Sequence, residues 1–299
     1  MMNSLRRPRN CSVFLPHITL PRCRRLIFAG LAFLALCAPA DAQAQTSSDA
    51  PSLSEAPARL APSGLQSLLR ARALVEKSFE ESSNVICTEN VTQAVVGKNG
   101  KANYREDSIF DYQMQAKTNG GSLKLVETRD TRKSSFRDSA RTLLITNGFT
   151  AMLLIVHPDY ETSYTFEPAG EETLDGATFS KVNFKPVPGA SSPAALQLRG
   201  QNYPIPLSGT LWIDTQSGAI TKLVATMDSS FSDLGLQAMR SEIHYSLIHF
   251  RDPDEAYWMP LSAVIDVETP RQHWRNVHRF AGYKRFKATI QVEELEKKP

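Results

Sequence analysis

The chain has 299 residues and a formal net charge of +3 at pH 7, with 41% hydrophobic and 22% charged residues. The first 44 residues contain six of the 34 basic residues and one of the 31 acidic ones, so positions 45–299 hold 28 basic and 30 acidic residues, a formal charge of −2. This balance excludes the strongly basic domain that nucleic-acid binding requires, and about 235 residues are ample for one sizeable core.

Residues 1–44 have the three parts of a secretory signal peptide. A basic leader ends in the arginines of positions 22–25, and an apolar run follows from Leu26 to Ala38. Two overlapping A-x-A cleavage sites come next, Ala40-Asp41-Ala42 and Ala42-Gln43-Ala44. The apolar run is shorter than the roughly 20 residues that a membrane-spanning helix needs. We therefore predict export, with a buried N-terminal helix as the alternative.

The cysteines bear on where the exported protein resides. Cys37 would be the attachment point of an outer-membrane lipoprotein, but that signal needs a small residue just before the cysteine, and Leu36 stands there. We therefore predict a soluble protein beginning near Gln43 or Gln45, with the lipoprotein as the alternative. Outside the leader only Cys87 remains, so an intramolecular disulfide is impossible and the core must hold the fold together.

The first structured element is predicted to be a helix. Residues 45–62 are rich in Ser, Ala and Pro and are typical of a flexible linker. Ser63 can then cap a helix. Apolar residues recur at helical spacing on one stripe after it, namely Leu65, Leu68, Leu69, Val75 and Phe79.

After Asn84 the apolar residues alternate with polar ones, which is the period of strands with one buried face. Turn signals at Asn119-Gly120-Gly121 and Thr215–Gly218 separate the strands. The predicted strands include Phe110–Ala116, a strand from Leu123, Leu211–Asp214, Ile220–Asp228, Ile243–Leu247, Leu261–Val267, His273–Phe286 and Ala288–Val292.

Two segments depart from this alternation of apolar and polar residues. Asn147 can cap a short helix over Gly148–Val156 that Pro158 ends, although a buried strand would show the same apolar run. The stretch 186–206 carries many Pro, Gly and Ser residues and is predicted to be a mobile loop. The sum is a mainly β fold of the α+β class, with a large curled antiparallel sheet or open barrel. A curled sheet has a concave apolar face, which a helix, a ligand or both must fill.

No catalytic or metal-binding motif is visible in the sequence. It lacks G-x-S-x-G, H-E-x-x-H and C-x-x-C, and Cys87 is interpreted as a buried small hydrophobe. His244 and His249 are five residues apart, as are His273 and His278, so on a strand each pair points to opposite faces. We predict no enzyme, no metal and no cofactor. A cross-strand metal site, or a hydrolase using these histidines and a nearby acid, is the remote alternative.

Basic and aromatic residues alternate near the C-terminus, where Trp274, Phe280, Tyr283 and Phe286 lie among cations. Surfaces that meet nucleic acid or anionic lipid have this composition, and so has an amphipathic edge hairpin with its aromatics turned inward. Export argues against nucleic acid. The candidate membrane-facing residues are Arg271, Arg275, Arg279 and Lys284.

Three short motifs follow one another in a recognisable order: GTLWID at Gly209–Asp214, YWMP at Tyr257–Pro260 and YKRF at Tyr283–Phe286. After a signal peptide and a first helix, this order resembles the LolA/LolB lipoprotein-carrier superfamily of periplasmic proteins, with its RseB and LppX-type members. The resemblance covers roughly residues 63–292. It implies an unclosed β-barrel with helices on its concave side, a periplasmic location, and a cavity for acyl chains or lipidated partners.

The chain departs from that family at two points: no residue matches the arginine that LolA carries inside its cavity, and the loop 186–206 is extra. We predict a single domain over 63–292 followed by a polar tail over 293–299. Its predicted function is that of an exported, non-enzymatic, monomeric binding or carrier protein for a lipid, an acylated protein or another apolar ligand. An envelope-sensing regulatory or scaffold protein that binds another protein is the alternative.

This carrier would contact the membrane surface or an envelope protein only transiently. The predicted cavity lining consists of apolar and aromatic residues on alternating strand positions, each of which could equally be ordinary core: Phe110, Tyr112, Met114, Leu211, Ile213, Leu223, Ala225, Met227, Tyr245, Leu261, Ala263 and Ile265.

Overall fold

The structure, a computed structural model, is mostly β, with one large antiparallel sheet and few helices, and the predicted fold class is confirmed. Among the described residues no helix is both long enough and apolar enough to span a membrane. The predicted signal peptide, the linker before Pro62, the strand 288–292 and the polar tail lie outside these residues. The structure describes residues 62–81, 84–119, 122–134, 148–198, 201–232, 235–251 and 254–285.

The described chain contains one α-helix, α1, over Pro62–Glu81. Two short 3₁₀ helices span Ala151–Val156 and Pro158–Ser163. The strands are β1 Asn84–Val96, β2 Ala102–Asn119, β3 Ser122–Ser134, β4 Tyr164–Leu174, β5 Ala177–Pro186, β6 Ala195–Leu198, β7 Gln201–Pro204, β8 Leu207–Asp214, β9 Ile220–Met227, β10 Ala238–Arg251, β11 Asp254–Glu268 and β12 His273–Arg285.

Ten strands form the large sheet in the order β3-β2-β1-β12-β11-β10-β9-β8-β5-β4, and β6 and β7 form a separate hairpin. The sheet does not close on itself, because β3 and β4 are its two edges. Leu123 on β3 nevertheless donates its backbone N–H to Asp159 at 3.2 Å, and β4 begins five residues later at Tyr164. Five residues span at most about 17 Å, whereas nine strand spacings in a flat sheet span about 43 Å. The sheet is therefore strongly curled.

The space between the two edges is filled by residues 148–163, which we call the plug segment. It contains both 3₁₀ helices and connects towards β4. The predicted helix over Gly148–Val156 is thus helical, but of the 3₁₀ type. All six residues of Ala151–Val156 are buried, not one face of them alone. The first 3₁₀ helix is therefore surrounded on all sides, whereas the second has exposed residues.

Helix α1 packs against the same interior. Its buried residues Leu68, Ala71, Val75 and Phe79 lie at spacings of three and four, which puts them on one stripe. Leu65 and Leu69 were predicted on that stripe and are instead exposed, at 42% and 55%. Leu69 is one residue from Leu68, a step that rotates a helix by about 100°, and Leu65 lies in the first turn of the helix. The helix begins at Pro62, so Ser63 is not its cap as predicted but lies inside it.

The stretch 186–206 is more regular than predicted. It includes strands β6 and β7, whose hairpin pairs Ala195 with Pro204. Ser192 lies just before the hairpin, and its hydroxyl donates to the carbonyl of Ile205 at 2.8 Å. Val187 donates its N–H to the Ser163 carbonyl at 2.8 Å, which ties the start of the stretch to the end of the plug segment.

The GTLWID motif has a structural explanation in β8. A Cβ at Gly209 would lie 1.9 Å from the Val224 carbonyl oxygen, so only glycine allows β9 to come this close. The Trp212 indole N–H donates to Glu172 at 3.1 Å. Asp214 accepts the N–H groups of Gln216 and Ser217 and so fixes the turn into β9. The residues of this motif therefore stabilise the sheet and the turn into β9, and they do not indicate which ligand the interior binds.

Candidate functional site

The interior of the curled sheet has two chemically different walls. The inner faces of β5, β8, β9 and β10, which we call the apolar wall, carry fully buried aliphatic and aromatic side chains. Among the described residues of these four strands the only buried polar ones are Ser180 and Ser241. The apolar wall includes Val182, Phe184, Leu207, Leu211, Ile213, Leu223, Ala225 and Ile243.

The predicted cavity-lining residues lie mostly inside. Met227 is half-buried and packs against the core. Leu261 is 48% exposed, and its predicted inward orientation is wrong. The register explains this: His244 pairs with Ser262 but Tyr245 pairs with Pro260, so Leu261 is the extra residue of a β-bulge. The other ten are buried: Phe110, Tyr112, Met114, Leu211, Ile213, Leu223, Ala225, Tyr245, Ala263 and Ile265.

The inner faces of β1, β2, β3 and β12, which we call the polar wall, hold a buried charged cluster. Arg129 on β3 makes a two-pronged ion pair with Glu89 on β1, with Nη2 to Oε1 at 2.7 Å and a second bond from Nε to Oε2. His278 on β12 donates from Nδ1 to the same Glu89 at 2.8 Å. The side chains of Glu89 and His278 are completely buried.

The electrostatics of this cluster hold its charges in fixed states. Burial by itself would raise the pKa of Glu89, but the charge and hydrogen bonds of Arg129, with the bond from His278, lower this pKa to about 2. Burial lowers the pKa of His278, so that residue is neutral at pH 7. A buried ion pair is stable only when its hydrogen bonds are complete, and here Glu89 has three.

The polar wall also holds the plug segment through its backbone. Glu127 on β3 accepts the N–H of Gly148 at 2.6 Å and the N–H of Ala151 at 3.0 Å. Burial raises the pKa of Glu127 even though these bonds and one from Tyr112 favour its charged form. Gly148 has a φ of 89°, a conformation that glycine adopts at little cost. It therefore turns the chain so that both N–H groups reach one carboxylate.

Two tyrosines complete the attachment of the plug. The Tyr245 hydroxyl donates to the carbonyl of Phe149 at 2.7 Å. The Tyr112 hydroxyl lies 3.3 Å from the hydroxyl of Thr150, and both groups are buried. Four consecutive residues, Gly148–Ala151, are thus each held by a wall side chain, and we call these four residues the plug anchor.

The Phe149 ring occupies an aromatic slot beside the charged cluster. Its centroid lies 4.8 Å from the His278 ring and 5.7 Å from the Phe280 ring. The Arg129 guanidinium carbon lies 5.9 Å from the same centroid, a cation–π distance. The slot therefore accommodates a flat apolar group, which in this structure is the ring of the anchor residue Phe149.

The predicted catalytic candidates do not converge. His244 contacts Glu242 at 3.1 Å and His273 contacts Asp266 at 2.9 Å, while His278 contacts Glu89. Three histidines therefore use three different carboxylates. Within the described part of the chain there is no cluster of three or more potential metal ligands.

Cys87 is buried, as interpreted from the sequence. Burial raises the pKa of its thiol to about 12. The reactive form of a cysteine is the thiolate, so this side chain stays protonated and unreactive at neutral pH.

The candidate membrane-facing residues Arg271, Arg275, Arg279 and Lys284 are all exposed. Arg275 forms an ion pair with Asp266, with Nε to Oδ1 at 2.8 Å. Phe280 is buried, and Trp274 packs partly buried against the core. Arg275 and Arg279 therefore lie on the face of β12 opposite Phe280, whereas Arg271 precedes the strand and Phe286 lies outside the described residues.

The residues that the sequence analysis missed are Glu89, Glu127 and Arg129. Glu89 stands in the alternating series Val85, Cys87, Glu89, Val91, in which the other members are apolar. A charged residue at a buried position of an amphipathic strand is itself a signal of a polar interior.

No family model and no curated protein matches this chain. Among solved structures it is similar to a DUF1329 family protein from Desulfovibrio piger, at 12% identity and a TM-score of 0.37 over 76% of this chain and 93% of that one. It is also similar to a LolA superfamily protein from Nitrosomonas europaea, at 12% identity and a TM-score of 0.33 over 73% and 94%. A third is an outer membrane lipoprotein-sorting protein domain from Vibrio parahaemolyticus, at 9% identity and a TM-score of 0.35 over 78% and 97%. The superfamily that the motifs resemble is thus among the structural neighbours.

Proposed function

We propose that this protein is an exported, non-enzymatic binding or carrier protein for a lipid, an acylated protein or another apolar ligand. The ligand enters the interior by displacing the plug segment. The observation that carries this proposal is the plug itself: every residue of Phe149–Val156 is between 1% and 7% exposed, yet the segment is only a short 3₁₀ helix. Such helices have poorer hydrogen-bond geometry than α-helices and are used in short pieces.

The energies of the plug and of an acyl chain are of the same size. Six large apolar side chains of the plug each contribute about 1.5–3 kcal/mol by burial, or roughly 9–18 kcal/mol together. An acyl chain gains about 0.8 kcal/mol per buried methylene, so a chain of about 16 carbons gains about 13 kcal/mol. Neither side dominates, and near-balance is what a carrier requires to bind and release its cargo. The six residues are Phe149, Met152, Leu153, Leu154, Ile155 and Val156.

The apolar wall supplies the surface that the acyl chain would cover after the exchange. Its aliphatic side chains contain no polar group that needs a hydrogen-bond partner. A hydrocarbon chain can therefore cover them without burying an unpaired polar group. The polar wall keeps its ion pair during the exchange, because the bonds of Glu89 to Arg129 and His278 lie within the sheet and involve no plug residue.

The exposed cations of β12 favour delivery at a membrane surface. Each basic residue near an anionic surface contributes about 1 kcal/mol of attraction, and salt weakens this attraction beyond a Debye length. The set comprises Arg271, Arg275, Arg279 and Lys284. Docking through these residues would be brief, as transfer requires.

Ligand uptake tests the proposal directly. The protein, produced with its own leader and purified from the envelope fraction, is analysed by native mass spectrometry, and the delipidated protein is titrated with a fluorescent monoacylglycerol. We expect a bound apolar molecule in the first experiment and saturable uptake in the second. An interior that is empty in the first and takes up no probe in the second contradicts the proposal. Co-purification of a protein partner with no lipid would instead support the regulatory alternative.

A matched pair of variants links uptake to the plug. Phe149→Ala removes the plug's largest buried side chain, which weakens the closed state, so we expect apparent probe affinity to rise at least about tenfold. Phe250→Ala is the control, because Phe250 is equally buried but packs against Tyr257, outside the plug. Equal affinities for the two variants would show that the plug does not compete with the ligand.

A further inference from the structure

Displacement of the plug removes hydrogen-bond partners from wall side chains at one place. Tyr112 loses the Thr150 hydroxyl but keeps its hydrogen bond to Glu127. Glu127 loses both N–H donors, from Gly148 and Ala151. Tyr245 loses its acceptor, the carbonyl of Phe149. Glu127 and Tyr245 are both buried, and a buried polar group without a partner is costly.

From these contacts we infer that the cargo is an acyl chain carrying a neutral group that both donates and accepts hydrogen bonds, an amide or a hydroxyl. This inference rests on the proposed function and adds the chemistry of the head group. The donor replaces the N–H groups at Glu127, and the acceptor replaces the carbonyl at Tyr245. The group takes the place of the peptide units of the plug anchor.

The wall charges argue against an anionic head group. The Glu89 carboxylate and the Arg129 guanidinium neutralise each other, and His278 is the third member of that cluster. Glu127 contacts the plug through both of its oxygens, and both act as acceptors there. A carboxylate or phosphate placed at the anchor would therefore meet a second acceptor group, and among the described side chains that hold the anchor only the Tyr112 and Tyr245 hydroxyls can donate.

The aromatic slot fixes the position of the chain relative to this head group. The Phe149 ring fills the space beside His278 and Phe280 in the closed protein. When the plug leaves, the first methylene groups of the cargo can cover the same rings. Glu127 and Tyr245 thus act as specificity-determining residues, and the apolar wall takes the remainder of the chain without selecting among chains.

Competition among ligands of one chain length tests this inference. Dodecanamide, dodecanol, methyl dodecanoate, dodecanoate and dodecane each displace the fluorescent monoacylglycerol from the full-length protein. We expect the amide and the alcohol to bind at least about tenfold more tightly than the ester, because the ester offers Glu127 no donor in place of the two plug N–H groups. Dodecanoate and dodecane should bind still more weakly.

Two conservative variants assign the preference to its residues. Glu127→Gln supplies a donor of its own, so the preference for amide over ester should fall below about threefold, and dodecanoate should gain affinity. Tyr245→Phe removes the donor, so the preference for ester over alkane should disappear. Tyr164→Phe is the control, because the partner of that buried hydroxyl is Ser192, outside the plug. Its ratios should match those of the unaltered protein.

The outcomes separate the two proposals. If none of the five compounds displaces the probe and the probe itself does not bind, the proposed function fails. If all five bind equally, or if the ratios are the same in Glu127→Gln and the unaltered protein, the head-group inference is wrong while the carrier function stands. Because every ratio is taken within one variant, a loss of stability does not imitate either result.

Discussion

Both walls of the interior are built from antiparallel strands, but the side chains of the two walls make different kinds of interaction. The apolar wall is filled by side chains such as Leu211 and Leu223, whose packing has no fixed direction. The polar wall carries Glu89, Glu127 and Arg129, whose bonds are directional and specific to one partner. The apolar wall therefore provides burial, apart from the Tyr245 hydroxyl on β10, whereas the polar wall supplies most of the directional bonds that hold the plug anchor.

The two walls also differ in how much stability a substitution costs. Removing apolar surface costs an amount that depends on volume and can be shared by relaxing neighbours. Removing one member of a buried ion pair leaves a full charge with no partner, and no relaxation of apolar neighbours can compensate for it. Substitutions in the two walls should therefore differ in the size of their effect on stability.

The largest effect is expected from breaking the polar wall. Glu89→Leu leaves the Arg129 guanidinium buried without its carboxylate, so we expect the free energy of unfolding to fall by about 3–5 kcal/mol. The double variant Glu89→Leu/Arg129→Met should recover most of this loss, because no uncompensated charge remains. Urea denaturation measures both variants. A loss below about 1 kcal/mol for the single variant would contradict the buried pair.

The apolar wall should respond more uniformly. Leu211→Ala creates a cavity in the core, because Leu211 is fully buried, and should cost about 3 kcal/mol, within the range for buried leucines. Because no polar group changes, the ratio of amide to ester binding should stay the same. Urea denaturation and the ligand competition together check this. A changed ratio would mean that the apolar wall also selects the head group.

Acid should weaken the buried ion pair of the polar wall. The pKa of Glu89 is lowered from 4.5 to about 2, so its contribution to stability is complete above pH 4.5 and is lost as pH falls towards 2. The lowered pKa of His278 adds a loss below 6.5, where the unfolded chain takes up a proton that the folded one resists. Unfolding free energies measured across this pH range should fall. The fall should be smaller in Glu89→Leu/Arg129→Met, and equal slopes would contradict the assignment.

The smallest effect on stability is expected at the outer surface. The double variant Arg275→Glu/Arg279→Glu should change the unfolding free energy less than the variants above, since exposed charges contribute little, and most of its cost should come from the broken ion pair of Arg275 with Asp266. Its flotation with vesicles containing anionic lipid should fall at low salt, and the difference should vanish at high salt. A thermal melt run beside the flotation controls for folding. Unchanged flotation would leave β12 without a role in membrane contact.

The spacing of apolar residues along the sequence was sufficient to predict the features that depend on it. Alternation along β2 and β8 identified the inner faces, and the apolar run at Gly148–Val156 identified the helical interruption. Local period failed at Leu261, because a β-bulge shifts the alternation by one residue. It also failed at Leu65 and Leu69, whose apolar character was mistaken for burial.

The polar wall could not be assembled from the sequence because its members are distant along the chain. Arg129 is 40 residues from Glu89, and His278 is 189 residues from it. Their contact depends on the pairing of β1 with β12, in which Val91 lies opposite His278. A strand pattern gives the face on which a residue lies, but strand order and register decide its neighbours.

Hydrogen exchange in the plug gives the most direct test of the account. The amides of Gly148 and Ala151 are protected by Glu127 in the closed protein. When saturating ligand is added, exchange in a peptide covering 148–157 should accelerate by at least about tenfold, while exchange in β8 and β9 should slow or stay the same. Slower exchange at 148–157 in the ligand-bound protein would contradict displacement of the plug.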